Sequence, residues 1–374
     1  MQKAIIYEPW AHGMAHFEFI KAFIKTIASL YEDVFFIGEQ SLIGLLRLEP
    51  ELDFVQFKVF QITTYNTLMG KFFAIPKEVK NVQKIKHIAK NADIYFSFGA
   101  PHSMLISEKI LRKQRVFYVQ HMALQAIHEK LGRTKLNHYV LPAIKKLPSF
   151  HKIIVLGDSI KANLLRDVPS LLSSQIISID HPFFMTQSLK ETEPQKSDEC
   201  IHIGTVGLGT AGKGYGKLNE IGEYIFDKGL SNKIKLYHIG KLLGVSVDEK
   251  YVYMPFSRLE MIPSEPFNLE IKKLDYILFL YPADSYKLVA SGAIFDAFKF
   301  GKPIIALKND YFMYLCQKGL KFGYLFDKLE ELEKFLCNLP RGDSDEYRKI
   351  SQNSLKMLAF FSPEVIAEQL KEQL

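Results

Sequence analysis

The chain is laid out as short, continuous apolar runs separated by longer stretches with one polar face. In the first half the runs fall at residues 4–7, 34–37, 94–98, 116–119 and 153–156. In the second half they fall at 201–204, 234–239, 276–281 and 303–307. Their apolar residues are consecutive rather than alternate, which is the pattern of strands covered on both faces, as in a parallel sheet. Between them, stretches such as 16–31 and 79–90 repeat apolar residues at helical spacing. Strand and helix in alternation predict βαβ units and an α/β fold class with two open, mostly parallel sheets. A length of 374 residues exceeds one ordinary core and suits two domains.

A change of composition marks the expected boundary. Residues 181–199 carry Pro182 and Pro194, and from Lys190 to Glu199 every residue except that second proline is polar. This composition suits an exposed linker. The predicted organisation is an N-terminal domain over 1–182, a linker over 183–199 and a second domain over 200–355. A C-terminal helix over 356–374, with a break near Ser362-Pro363, is placed to cross back onto the first domain.

Composition narrows the function classes. Hydrophobic residues make up 48% and charged residues 24%, as in a packed globular protein. Cys200, Cys316 and Cys337 are too few and too scattered for a disulfide framework or a zinc site. The formal net charge of +7 fits an anionic substrate, an anionic membrane surface or a plain excess of lysine. No nucleic-acid-binding motif accompanies it, so nucleic acid is not an expected partner. Lysines interleaved with apolar residues over 77–90 and 135–152 suit either contact with an anionic membrane or ordinary solvated helix faces. The opening run at 4–7 is too short for a secretory leader, and no stretch approaches the roughly 20 apolar residues of a membrane span. The expected location is therefore cytoplasmic, with peripheral contact at the inner membrane face as the alternative. The sequence has no His-Glu-x-x-His, no close cysteine pair and no Gly-x-Ser-x-Gly, so neither a metal site nor serine hydrolysis is indicated.

In open α/β sheets ligands bind beyond the carboxyl ends of the strands, so the residues just after each strand hold the chemistry. After the run 276–281 the chain turns through Pro282 to Tyr286. Ser291-Gly292 is then expected to open a helix closing near Gly301, with Ser291 as its N-cap. Such a helix start suits an anion, and Asp296 further along suits ribose hydroxyls; a plain cap and a solvated acid are the alternative. The loop after 201–204 carries Gly207, Gly209, Gly212, Gly214 and Gly216 around Lys213. So many glycines leave backbone amides to face phosphate. Lys213 is followed by glycine, so the loop is not a P-loop; the Gly207-x-Gly209-x-x-Gly212 spacing formally fits a dinucleotide fingerprint, and a surface loop fits too. The turn after 4–7 holds Trp10, His12, Gly13 and His16. Here a histidine can serve as a base, bind a hydroxyl or cap the next helix, and the indole can stack on a sugar ring. His121 follows the run 116–119, and Phe98-Gly99 follows 94–98, at equivalent positions.

Taken together, these residues resemble the GT-B glycosyltransferases, most nearly the retaining group called glycosyltransferase family 4. The likeness rests on Gly207 through Lys213-Gly214, on 276–296 followed by Gly301-Lys302-Pro303, on 152–159, and on His121. It implies two Rossmann-like domains with a cleft between them. It also implies transfer of a sugar from a nucleoside-diphosphate sugar to an acceptor hydroxyl, without metal or other cofactor. In bacteria such enzymes often build surface polysaccharide or glycoconjugates, with carbohydrate, glycolipid or glycoprotein acceptors. Lys213, Ser291 and Gly292 would contact the diphosphate, and Asp296 the ribose, with Gly207 and Tyr286 completing the donor site. His121 would lie near the transferred sugar and is a catalytic candidate with His16; Trp10, His12 and Gly13 would meet the acceptor. The chain leaves the family pattern at two places. Leu208 stands where an arginine is usual, and the family's first motif acid falls near Leu288, with Asp284 the nearest earlier acid. A sugar-nucleotide epimerase of the same architecture and a non-catalytic two-lobed binding protein are the rival readings.

Overall fold

The computed structural model describes residues 3–62, 68–127, 139–185, 200–256 and 262–374, with backbone alone over 68–73. The chain divides into two compact units. One comprises Met1–Phe184, Leu288–Ala290 and Phe360–Leu374; the other comprises Met185–Lys287 and Ser291–Ala359. Most of the predicted linker, residues 186–199, lies outside the described residues.

The first unit contains β1 (Lys3–Tyr7), β2 (Asp33–Gly38), β3 (Gln56–Val59), β4 (Ala92–Phe96), β5 (Val116–Val119), β6 (His151–Val155) and β7 (Ile176–Ser178). They form one sheet in the order β3-β2-β1-β4-β5-β6-β7, with all neighbours parallel. The central strand shows why: Ala4, Ile5, Ile6 and Tyr7 are all fully buried, so both faces of β1 are covered. The second unit contains β8 (Ile201–Val206), β9 (Ile234–Ile239), β10 (Val252–Tyr253), β11 (Tyr276–Phe279), β12 (Ile304–Leu307) and β13 (Gly323–Phe326). Its order is β10-β9-β8-β11-β12-β13, again parallel throughout.

Both sheets are doubly wound. The winding reverses between β1 and β4 in the first and between β8 and β11 in the second. At such a switch point the loops leaving adjacent strands diverge to opposite faces and leave a crevice at the carboxyl ends. The candidate residues following β1, β4, β8 and β11 therefore flank the two switch points.

The helix Phe17–Ala28 buries Phe17, Phe19, Ile20, Phe23, Ile24 and Ile27 on one face, as the spacing predicts. The helix predicted over 79–90 is longer and spans Leu68–Ile88. The helix Pro363–Lys371 starts at a Ser362 cap and buries Ile366, Ala367 and Leu370 in the first unit. Glutamine side chains on this helix and just after it also serve the edge of the sheet. The Gln373 side chain accepts from the Ser178 backbone amide at 3.0 Å and donates to the Ser178 carbonyl at 2.7 Å, as a neighbouring strand would. Gln369 does the same for Asp180, accepting from its amide at 2.8 Å and donating to its carboxylate at 2.9 Å. Edge groups otherwise open to another chain are thus paired.

Candidate functional site

In the second unit, the loop after β8 is fixed by backbone contacts. Gly207 has φ 81° and donates to the Ile239 carbonyl at 2.8 Å. A single 3-10 turn, Ala211–Lys213, follows, and then Gly214 with φ 75°. A Cβ on Gly214 would collide with the carbonyl oxygen of Leu280. The turn therefore seats directly on the chain leaving β11, which carries Lys213 to the switch point. Gly214→Ala combines this collision with a left-handed backbone, and should cost roughly 2–4 kcal/mol of stability in urea unfolding.

Lys213 and Asp296, far apart in sequence, lie within electrostatic reach of one another here. Burial pulls the Lys213 ammonium below its ordinary pKa, and the Asp296 carboxylate pushes it back up. Asp296 lies in the first turn of the helix Ile294–Lys299. His238, buried near the end of β9, lies 3.1 Å from the Thr205 hydroxyl through Nδ1 and meets the Tyr215 ring edge-on at 5.1 Å. Burial drops its pKa to about 4, and the Lys213 charge adds to the effect, so its ring is neutral at pH 7.

An aromatic column defines the other side. Tyr286 has a left-handed backbone, φ 58°, rare for a residue with a side chain. Its ring stacks on Tyr281 at 4.1 Å and 9°, and Tyr281 stacks on Phe312 at 5.6 Å. The Tyr281 hydroxyl lies 3.2 Å from the buried Ser291 hydroxyl.

That contact corrects one expectation. Ser291 is not a helix cap: the helix begins at Ile294 with Ala293 in the cap position and no side-chain cap. The hydroxyl is taken by Tyr281, and residues 292–295 close a turn first, with Phe295 N–H donating to the Gly292 carbonyl at 3.2 Å. Gly292 is exposed, and a Cβ there would meet nothing within 4 Å; at Gly212 it would meet only the Thr210 hydroxyl at 3.9 Å. Neither glycine has a positive φ, so the protein's own packing does not account for either. Both leave backbone open to close approach beside Lys213 and Ser291. At the two departures from the family pattern, Leu208 is partly exposed, and Leu288 is a buried core residue of the first unit.

In the first unit, Trp10 stacks on Phe98 at 5.4 Å, and Phe98 stacks in turn on His121 at 5.8 Å and 13°. His16 stands edge-on to Trp10 at 5.4 Å and to His121 at 5.0 Å. It occupies the position before the helix Phe17–Ala28 with φ 56°, and its side chain does not cap the helix. Phe19 brings in a third histidine, His181, at 5.1 Å, and lies 4.6 Å from His121. Burial lowers the pKa of all three rings: that of His16, that of His181 to about 4, and that of His121 well below the ordinary value, where His16 and His181 add to the effect. They are neutral at pH 7. The His121 Nε2 lies 3.0 Å from the Ser97 carbonyl, which can only accept. The Nε2 therefore carries the proton, and Nδ1 is left as the basic nitrogen. His12 is exposed, and Gly13, with φ 54°, donates its amide to the Ser41 hydroxyl at 2.9 Å.

Beneath this cluster lie two buried carboxyl groups that the sequence did not single out. Glu8 follows β1 directly and is 2% exposed; Glu78, on the helix Leu68–Ile88, is 4% exposed. Phe19, Ser97, His181, Tyr281 and His238 were likewise missed. Phe19, Ser97, Tyr281 and His238 are buried polar or aromatic residues inside apolar stretches or at strand ends, and His181 is half-buried; only their tertiary neighbours distinguish them. Among the described residues, no group of three or more His, Cys, Asp or Glu is placed to hold a metal ion.

No protein-family model matches the chain. No curated protein sequence matches it either. Solved structures do. Anabaena HepE, crystallised with UDP and glucose, has 16% identity over 98% of each chain, with a TM-score of 0.64. Sucrose-phosphate synthase from Thermosynechococcus elongatus has 14% identity over 100% of this chain and 98% of its own, with a TM-score of 0.67. The lipopolysaccharide outer core galactosyltransferase WaaB has 15% identity over 100% of this chain and 99% of its own, with a TM-score of 0.60. These likenesses show the fold, which is GT-B, with two Rossmann-like domains.

Proposed function

We propose that the chain is a glycosyltransferase. The second unit would hold a nucleoside-diphosphate sugar, and the first would present an acceptor hydroxyl. The observation that carries this reading is the electrostatic coupling of Lys213, on the loop after β8, with Asp296, on the helix that follows β11, on segments that also carry two glycines the fold itself does not require. The amides of Gly207, Gly209, Lys213 and Gly214 are given to backbone carbonyls. It is a lysine ammonium and glycine backbone with no Cβ in the way, at Gly212 and Gly292, that suit a diphosphate, and a carboxylate coupled to that lysine that suits the vicinal hydroxyls of a ribose. On this reading Lys213 neutralises the diphosphate as it leaves, so the protein itself supplies the positive charge. Tyr286, Ser291 and Gly207 shape the walls.

The stacked Trp10 and Phe98 supply apolar ring faces of the kind that sugars pack against. The nearby neutral His121, with a basic Nδ1, suits hydrogen bonding to a sugar hydroxyl. The acceptor class proposed is therefore a carbohydrate, free or carried on lipid or protein, as in the synthesis of bacterial surface polysaccharide. Lys77, Lys80, Lys84 and Lys86, exposed on the helix Leu68–Ile88, support peripheral contact with an anionic membrane. No helix among the described residues is long and apolar enough to cross one.

The test is incubation with a panel of sugar nucleotides, with and without carbohydrate acceptors, scoring released nucleoside diphosphate and a shift in thermal unfolding. The expected result is stabilisation by one nucleotide class and acceptor-dependent diphosphate release. Binding with an altered sugar nucleotide and no diphosphate release would instead identify an epimerase, and binding without turnover a two-lobed receptor. Stabilisation by none of the panel would overturn the proposal.

A further inference from the structure

Glu8 sits at the switch point of the first sheet, buried beneath the aromatic cluster, with no role yet given to it. Its Oε1 accepts from the backbone amides of Trp10 at 2.8 Å and Ala11 at 2.9 Å. Its Oε2 accepts from the Ser97 hydroxyl at 2.7 Å. Burial raises the pKa of this carboxyl and the three hydrogen bonds lower it. The two amides can only donate, and with the Ser97 hydroxyl, which also lies 3.3 Å from the Tyr7 carbonyl, they hold the group in one orientation. The same Ser97 offers its carbonyl to His121 Nε2 at 3.0 Å, and its amide donates to the Tyr7 carbonyl at 3.0 Å. One carboxylate thus ties the loop after β1, which carries Trp10, to the residue after β4 that fixes the tautomer of His121. Trp10 reaches the same histidine by a second route, through the Phe98 ring that stacks on both.

From this geometry we infer that Glu8 is a positioning residue: it holds the Trp10 platform and His121 in register as one acceptor-binding surface, without touching the substrate. This deepens the transferase reading and rests on it for the word acceptor; the mechanical link itself does not depend on that reading. Two properties separate it from ordinary core support. The carboxylate serves two loops that leave neighbouring strands at the point where the sheet's winding reverses. Its hydrogen bonds also go to the site loop's own backbone, so Gln, which keeps an acceptor for those amides, is a partial substitute, whereas Ala is not.

Trp10 is the only tryptophan in the chain, so intrinsic fluorescence reads this loop alone. In Glu8→Ala, iodide quenching of Trp10 should increase and its emission should shift to the red. Acceptor KM should rise about tenfold or more, while affinity for UDP, used as a probe of the second unit, stays within about twofold of wild type. Glu8→Gln should recover most of the wild-type quenching and KM. Wild-type quenching in Glu8→Ala, or a Gln variant no better than Ala, overturns the inference. Where Glu8→Ala fails to fold, Ser97→Ala carries the test, because it removes one of the three donors and leaves the carbonyl that His121 uses. Increased quenching supports the link, and unchanged quenching refutes it. Should no sugar nucleotide be turned over by the wild type, the transferase reading fails, while the quenching results still decide whether Glu8 holds the loop.

Discussion

Lys213→Ala is expected to weaken binding of the nucleoside diphosphate by about ten- to a hundredfold, the effect of losing ~1.5–3 kcal/mol of charge-assisted hydrogen bonding. The effect should be this large because the ammonium is half-buried: water competes poorly there, and its charge is not screened as a surface lysine's would be. Titration calorimetry with a panel of nucleoside diphosphates measures it, and an unchanged affinity would show that the donor lies elsewhere. The neighbouring acid supplies a sharper version. Asp296 raises the pKa of Lys213 against the lowering caused by burial. Asp296→Asn removes that support, so Lys213 should lose its proton at lower pH than in the wild type. Nucleotide affinity in the variant should then fall off earlier as pH rises, on top of any loss of ribose contacts. A variant whose affinity drops equally at every pH would leave Asp296 as a ribose ligand only, uncoupled from the lysine.

How far the sequence disclosed this arrangement depends on what each residue's local pattern could reveal. The interior strands were legible because both faces of each are covered, so their residues are apolar without interruption. The strands that escaped, β3, β7, β10 and β13, are the four edges of the two sheets. An edge strand has a neighbour on one side only, and β3 meets that condition with the half-polar Gln56–Val59. Two predicted runs, 94–98 and 276–281, overshoot their strands because Phe98, Leu280 and Tyr281 are apolar for a different reason: they line or support the switch-point loops. The glycine-rich loop could be found from composition, but composition did not separate Gly214, which the fold requires, from Gly212, which it does not. Ser291 looked like a cap because serine before a helical run usually is one. Only the Tyr281 hydroxyl, ten residues earlier in the chain, shows that it is engaged elsewhere. Glu8 and Glu78 were silent for a related reason. An acid at a strand end or within a lysine-rich helix reads as solvated, and nothing local reports that a tertiary fold has closed over it.

Glu78 makes that burial measurable. Its Oε1 accepts from the Ser103 hydroxyl and its Oε2 from the Tyr7 hydroxyl, each at 2.6 Å, and Asn81 donates to the same tyrosine oxygen at 3.2 Å. Burial pushes its pKa up; the two hydroxyls pull it down, Glu8 adds a further push, and the result is about 7. The folded protein therefore keeps a proton on Glu78 over a range, from about 4.5 to about 7, in which the unfolded chain has already released it. Where the folded state binds more protons, stability falls as pH rises, so this group should cost stability progressively across that window and by a constant amount above it. At about 1.4 kcal/mol per pH unit, the full cost is roughly 3 kcal/mol. Glu78→Gln should remove it. The amide offers one acceptor and one donor face, as the protonated acid does, and both hydroxyl partners can turn to suit. The variant should be more stable than the wild type at pH 8 by up to about 3 kcal/mol, and the two should converge near pH 4. Urea unfolding of both proteins across that range measures the difference. A variant equally destabilised at every pH would mean instead that Glu78 is ionised in the folded state and that its two hydroxyl donors hold a true carboxylate.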